Sequence, residues 1–304
     1  MPHVTFVHGI GNKPAAEALA DRWERSLAAG DGLDLGTLGV TSRMVYWSDV
    51  LYPEPAEEDL EACLDLPSGD IGPVTDIRPD LAGPEREWAD RFATGLGLGE
   101  EGTPAETAPG TGDLDLERVP LPHALKRRLM ETLLRDVHHY LFDTRHAPRP
   151  EVEYRVRDEI RRRTIEALRE GAEQPGPHVL LTHSMGTVIA YDCLKRVPDC
   201  PPVDALVTMG SPLGRHEIPE ELRPGWSRDE GFPAEKLRGP WVNVFDRLDV
   251  VVGAYPHLKF GFRRHGETVV EDVNEQSWGR WRHDVAKYLQ GPELRRHLAG
   301  LLGI

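Results

Sequence analysis

No stretch of this sequence holds the roughly 18 to 20 consecutive apolar residues that a membrane-spanning helix needs, so it reads as a soluble chain. The N-terminus, MPHVTFVHGIG, lacks the basic segment, the long apolar segment and the small-residue cleavage site of a secretory signal. It runs straight into strand-like sequence, and a cytoplasmic location is the expectation. Cysteine is scarce. Cys63, Cys193 and Cys200 form an odd set without C-x-x-C spacing, which offers neither a disulfide framework nor a zinc site. Positive charge is also short: 36 Lys and Arg face 51 Asp and Glu, and the formal charge of -15 argues against nonspecific nucleic-acid binding. The shortage is local. Residues 53–118 have no lysine, 4 Arg and 18 Asp or Glu, a net charge of -14, and the rest of the chain is almost neutral.

What is present suffices for a large core: 304 residues, 39% of them hydrophobic. Five short apolar or β-branched segments bounded by breakers read as strands, at 3–7, 41–47, 178–182, 205–209 and 241–245, with a more polar sixth at 268–273. Helical faces fall between them: Leu19, Trp23 and Leu27; Leu125, Leu129, Leu133 and Val137; Val152, Val156 and Ile160; and Met185, Val188, Ile189 and Cys193. Strands alternating with helices, several strands being near-continuous apolar runs, predict an α/β fold with a parallel sheet covered on both faces. No internal repeat is visible. The expectation is one domain over 1–304, with the Pro- and Gly-rich acidic segment 53–118 inserted as a loosely folded or partly disordered stretch. The charge run RVRDEIRRRT reads as the solvated face of the helix after 151.

LLTHSMGTV, at 180–188, puts Ser184 where a strand turns into a helix. Alone, Ser184 could simply cap that helix, because serine is a preferred N-cap. A nucleophile on the same sharp turn needs small neighbours two positions away on each side. Gly186 meets this demand, whereas Thr182 stands where glycine is usual. Such a turn lifts the hydroxyl above the sheet and aims the first N–H groups of the helix, starting with Met185, at a developing oxyanion. A second donor is expected from His8-Gly9-Ile10-Gly11, where the Ile10 or Gly11 N–H can approach a ligand. The same turn lacks the third glycine of a dinucleotide fingerprint and the G-K-[ST] of a phosphate loop, so no cofactor is expected.

Hydrolases built on this turn place the acid and then the histidine after the nucleophile. WVNVFDRLDVVVG carries Asp246 at the strand end and Asp249 in the loop; Asp249 is preferred because a loop residue reaches sideways to a histidine, and Asp246 is the alternative, otherwise a turn residue. Of His257, His265, His283 and His297, His283 alone falls between the last strand and the final helix, where a general base belongs. His139 and Asp143, four apart on a helix, are a weaker candidate metal pair that a helix face beside a pocket explains as well; no metal is expected.

In this order FVHGIG, LLTHSMGTVIAY, TMGSPLG, VNVFDRLDVV and RHDVAKYL resemble the α/β-hydrolase superfamily, nearest to lipase-like and esterase-like members with an H-G-x-G turn and an H-S-M-G-T elbow. The resemblance covers about 230 residues, all but the acidic insertion. It implies Ser184 as nucleophile, His283 as base and then acid, Asp249 as its partner, and Met185 and Ile10 as oxyanion donors. His8, Gly9, His183, Asp246 and the GSPLG residues Ser211, Pro212 and Leu213 would line the site. The chain starts at what matches the superfamily's third strand, so a reduced sheet without the N-terminal antiparallel strands is expected. The implied reaction is acyl transfer to water from an ester; thioesterase, acyltransferase and peptidase use the same groups, and a noncatalytic binding or scaffold protein is the alternative of another class. Residues 53–118, with Trp88, Phe92 and Leu96 at helical spacing, are a candidate lid whose charge disfavours anionic bilayers. The partner expected is a small ester or other acyl compound, without stable membrane association; the sequence says nothing of oligomeric state.

Overall fold

A computed structural model of the chain describes residues 1–57, 76–98, 123–279 and 281–304. Its strands are β1 (His3–Val7), β2 (Thr41–Val45), β3 (Arg145–Arg149), β4 (Val152–Arg155), β5 (His178–His183), β6 (Ala205–Met209), β7 (Trp241–Phe245) and β8 (Val270–Asn274). The helices used below are α1 (Ala16–Ala28), α2 (Ser48–Leu51), α3 (Gly83–Gly95), α4 (His123–Leu141), α5 (Val156–Ala172), α6 (Met185–Arg196), α7 (Glu217–Glu221), α8 (Val285–Gln290) and α9 (Pro292–Leu302). Six strands form one sheet in the order β2-β1-β5-β6-β7-β8, with every adjacent pair parallel. This is an α/β architecture: a parallel central sheet flanked by helices. No described helix is long and apolar enough to cross a membrane.

The sheet's layers follow from its sequence. β1, β5, β6 and β7 are buried at every position, as strands covered on both faces must be. Successive side chains alternate between two cores. Val4, Phe6, Val179, Leu181 and Val207 pack with α1, α8 and α9 through Leu19, Trp23, Tyr288 and Leu298. Val7, Leu180 and Leu206 pack with α3 to α6 through Trp88, Leu133, Ile160 and Val188.

The chain leaves β1 toward β2 on one side, then returns to lay β5 on the other. The sheet therefore reverses its winding between β1 and β5, and a crevice opens beyond the carboxyl ends of such a pair. The register sets Val7 beside Thr182, so residues 8–11 and Ser184 leave the sheet next to each other.

Three sequence expectations change. Val152 lies in β4, paired antiparallel with β3 through a turn in which Glu151 has φ 64°, and α5 starts only at Val156. The spacing of Val152, Val156 and Ile160 hid this, because a period of four satisfies strand alternation as well as a helix. β2 ends at Val45, since Ser48 opens α2, and β8 runs 270–274. Part of the acidic insertion is firmly packed: α3 buries Trp88, Phe92 and Leu96 in the main core, although each is interrupted by charge in the sequence. Burying one such aromatic contributes roughly 1.5–3 kcal/mol. Leu125, Cys63 and most of the acidic run lie outside the described side chains, and Cys193 and Cys200 are buried free thiols.

Candidate active site

Ser184 stands between β5 and α6 with φ 53° and ψ -126°, a backbone region that an L-residue enters at a cost of about 1–3 kcal/mol. The surroundings hold it there. Its N–H donates to the Met209 carbonyl at 2.9 Å, and its own carbonyl accepts the Thr187 N–H at 3.0 Å and the Thr187 hydroxyl at 2.7 Å. A capping serine would turn its hydroxyl onto the helix, but Ser184 makes no side-chain cap bond, and its buried Oγ has no hydrogen-bond partner among the described residues. Gly186 is required: a Cβ there would sit 2.3 Å from the Val7 carbonyl oxygen, so its absence lets α6 press onto the end of β1. Thr182 fits because its methyl and hydroxyl are wholly buried in the sheet, the hydroxyl donating to the Val207 carbonyl at 3.0 Å.

The glycine turn touches the same point. A Cβ on Gly9 would lie 2.8 Å from Ser184 Cβ and 3.2 Å from His183 Nδ1, so only glycine brings this backbone so close. His8 fixes the turn's shape. Its Nδ1–H donates to the Gly9 carbonyl at 2.8 Å, its Nε2 accepts the Trp47 N–H at 3.1 Å, and its carbonyl accepts the Trp47 indole N–H at 3.1 Å, with the two rings stacked at 4.6 Å. His8 is thus a brace for the turn. The Gly11 N–H is committed elsewhere, donating to Asp136 Oδ2 at 2.8 Å, in a buried cluster where Tyr52 and Arg135 also bind Asp136. Of the two donors expected from this turn, Ile10 is the one left. The Met185 N–H opens α6 and has no carbonyl within the helix to bond.

Asp249 and His283 come together from loops 34 residues apart, with His283 Nδ1 2.7 Å from Asp249 Oδ2 and both side chains fully buried. Asp249 also accepts the Val251 N–H on Oδ1 at 2.8 Å and the Tyr288 hydroxyl on Oδ2 at 2.7 Å. Burial alone would raise its carboxyl, but His283 and these donors overcome it and hold it below the usual carboxylate range. Gly210, with φ 55° after β6, makes room for the pair: a Cβ there would be 3.0 Å from both Asp249 and His283.

Asp246 is placed otherwise. It accepts the Leu248 N–H at 2.7 Å, the Ser277 N–H at 2.9 Å and the Ser277 hydroxyl at 2.7 Å, tying its own loop to the one that carries His283. Of the other histidines, His257 lies 3.6 Å from Asp272, His265 pairs with Glu230 on the surface, and His297 bonds the Glu293 carbonyl within α9.

His183 joins the two halves of the site. Its ring centroid is 4.6 Å from that of His283, and it is hydrogen-bonded to the His283 backbone. Burial, then the neighbouring His283 and Lys13, keep it neutral, well below the ordinary histidine range. Ser211 shares a 2.7 Å hydrogen bond with Thr187 and caps Leu213, so Ser211, Pro212 and Leu213 form a short turn against α6. His139 and Asp143 do not act together: His139 bonds Thr144 at 2.5 Å, and Asp143 pairs with Arg155 and caps α5 through the Arg157 N–H at 3.1 Å. Tyr288 and Gly210 fall within the stretches RHDVAKYL and TMGSPLG, and Trp47 ends the segment 41–47, but none of them is singled out by the sequence, and Asp136 carries no motif at all.

No protein-family model matches the chain, and no curated protein does. Among solved structures it is similar to acetyl xylan esterase 1 from Thermoanaerobacterium sp. JW/SL YS485, at 13% identity over 90% of this chain and 67% of that one, with a TM-score of 0.27. It is also similar to an uncharacterized protein from Pseudomonas aeruginosa, at 11% identity over 97% of this chain and 47% of that one, with a TM-score of 0.30. The chain therefore spans just under half of the second protein. At such scores neither likeness carries weight for function, which rests on the site's own geometry.

Proposed function

We propose that the chain is a serine hydrolase of the α/β-hydrolase type, cleaving carboxylic esters through an acyl-enzyme on Ser184. The observation that carries this reading is a serine held at φ 53° on a strand-to-helix turn, at the sheet's winding reversal, whose chain neighbour His183 packs its ring 4.6 Å from a buried histidine, His283, with Nδ1 2.7 Å from a carboxylate. A helix cap has no use for that backbone conformation, nor a scaffold for a fully buried His–Asp pair.

In the reaction, His283 takes the Ser184 proton as the oxygen attacks the carbonyl, and Asp249 holds the ring and steadies the imidazolium. The Met185 and Ile10 N–H groups receive the oxyanion, each such donor contributing typically about 10²- to 10³-fold in rate. His283 then protonates the leaving alcohol and activates the water that frees the acid. Ser184 and Asp249 are no more than 2% exposed, so substrate entry requires a covering segment to move. Residues 53–118 supply the lid in this reading, and their charge directs the enzyme to small dispersed esters rather than anionic bilayers.

A fluorophosphonate probe tests the reading directly. The parent labels and Ser184→Ala does not, while short nitrophenyl esters turn over only with the parent. Equal labelling of both proteins, or of neither, overturns it. Tight, salt-independent binding to anionic vesicles would remove the substrate assignment.

A further inference from the structure

Tyr288 sits on α8, fully buried in the core, and its hydroxyl has a fixed direction. It accepts the Asp246 N–H at 3.0 Å, so its own hydrogen is left to point at Asp249 Oδ2, 2.7 Å away. His283 Nδ1 approaches the same oxygen at the same distance. Two donors therefore divide one carboxylate oxygen, and each reduces the negative charge that the other feels. We propose that Tyr288 is a positioning residue of the hydrolase, sharing Asp249 with His283 and thereby setting how tightly His283 holds its proton.

The inference rests on the serine-hydrolase reading only for its kinetic consequence. Tyr288 keeps its proton, because burial and then the Asp249 charge push the phenol well above its ordinary range. A hydroxyl that stays protonated donates throughout the working pH range. With it present, Asp249 accepts from Val251, Val252, Tyr288 and His283, and stabilises the imidazolium less than it would without the phenol. The base consequently remains free of protons to lower pH. The other groups around the pair are His183 on the ring face, with Lys13 and His8 acting on His183 in turn. Arg215 acts on Asp249, and Asp246, with Arg282 3.8 Å from it, lies behind Tyr288. All of these persist when only the phenol oxygen is removed.

The test compares Tyr288→Phe with 3-fluorotyrosine placed at position 288. Removing the donor should raise the acid limb of the kcat/KM profile by roughly half a unit to one unit, with kcat down about tenfold and KM within about twofold. The fluorinated phenol is a stronger donor and should move the limb the other way. Imidazole ¹⁵N titration of His283 reads the same shifts without substrate, so the result stands apart from the hydrolase reading. Opposite shifts from the two variants support the proposal. An unmoved titration in both, or movement in the same direction, overturns it, even where Tyr288→Phe is less stable. A parent that neither labels at Ser184 nor cleaves esters would overturn the hydrolase reading instead.

Discussion

Arg215 donates to the Gly95 carbonyl at 2.9 Å and, with the same guanidinium, to the Val251 carbonyl at 2.8 Å and the Val250 carbonyl at 2.9 Å. One buried cation thus joins the last turn of α3 to the loop of Asp249. The helix end suits it, since the unpaired carbonyls there carry partial negative charge. Trp88 adds a second tie, its indole N–H donating to the Glu217 carbonyl at 2.8 Å.

Arg215→Met should therefore loosen both partners. Three carbonyls lose their donor, the Val251 one buried and the other two partly exposed, and the expected destabilisation is about 2–4 kcal/mol by urea unfolding, less than a simple sum because a buried charge also disappears. Proteolysis within 76–98 should quicken and ester turnover should fall. Parent-like proteolysis would mean that Trp88 and Phe92 hold α3 without the arginine.

The two aspartates of the acid loop can be told apart. Asp249→Asn should lower kcat about 10⁴-fold, because the amide cannot hold His283 in the right tautomer. Asp246→Asn keeps the bond from Tyr288 to Asp249 and should cost no more than about tenfold, with its larger effect on stability through Ser277. Comparable losses in the two variants would refute the division of roles.

Strain at Ser184 makes a prediction of opposite sign. Ser184→Gly should raise stability by about 1–2 kcal/mol in urea, since glycine adopts φ 53° freely, while Ser184→Ala should not. Loss of this hydroxyl would then stabilise the fold, as expected where a proposed site is built at the expense of stability. Identical unfolding midpoints for the two variants would show that the turn stores nothing.

Acid sensitivity should come in part from two histidines, His178 buried and His139 partly buried. Burial lowers His178 to about 4 and His139 to about 4, from an ordinary 6.5. Between those values the unfolded chain binds more protons than the folded one, so stability rises with pH across the window and is lost as pH falls through it. Each group should cost about 2 kcal/mol between pH 7 and pH 5. His178→Gln retains a partner for Thr5 and should lose correspondingly less over the same interval, measured by urea unfolding at both pH values. A parallel fall in parent and variant would exclude His178 as a source.

The sequence announces the parallel sheet because β1, β5, β6 and β7 are short, near-continuous apolar and β-branched runs bounded by breakers. Ser184 and the glycine turn were legible for a related reason: both depend on backbone shapes that only small residues at fixed spacing allow. Asp249 was separable from Asp246 by position in the loop. The supports were not legible. Tyr288, Asp136 and Arg215 act through contacts that include ones made across 39, 125 and 120 residues, and nothing local marks the residue at the far end. For α3 the helical spacing of Trp88, Phe92 and Leu96 is visible in the sequence, but its packing into the main core is not, because acidic neighbours dilute the apolar positions.

The open sheet ends on β2 and β8, each with a row of backbone groups that another chain could pair with. Arg43 stands exposed in the middle of β2, 3.2 Å from Glu170, and Glu271 stands exposed on β8 beside His297 at 3.1 Å. A strand arriving at either border would have to bury or displace a charge. The same parallel sheet that carries Ser184 beyond one edge of its strands thus has an exposed charge on each border strand, and these charges disfavour edge-to-edge pairing.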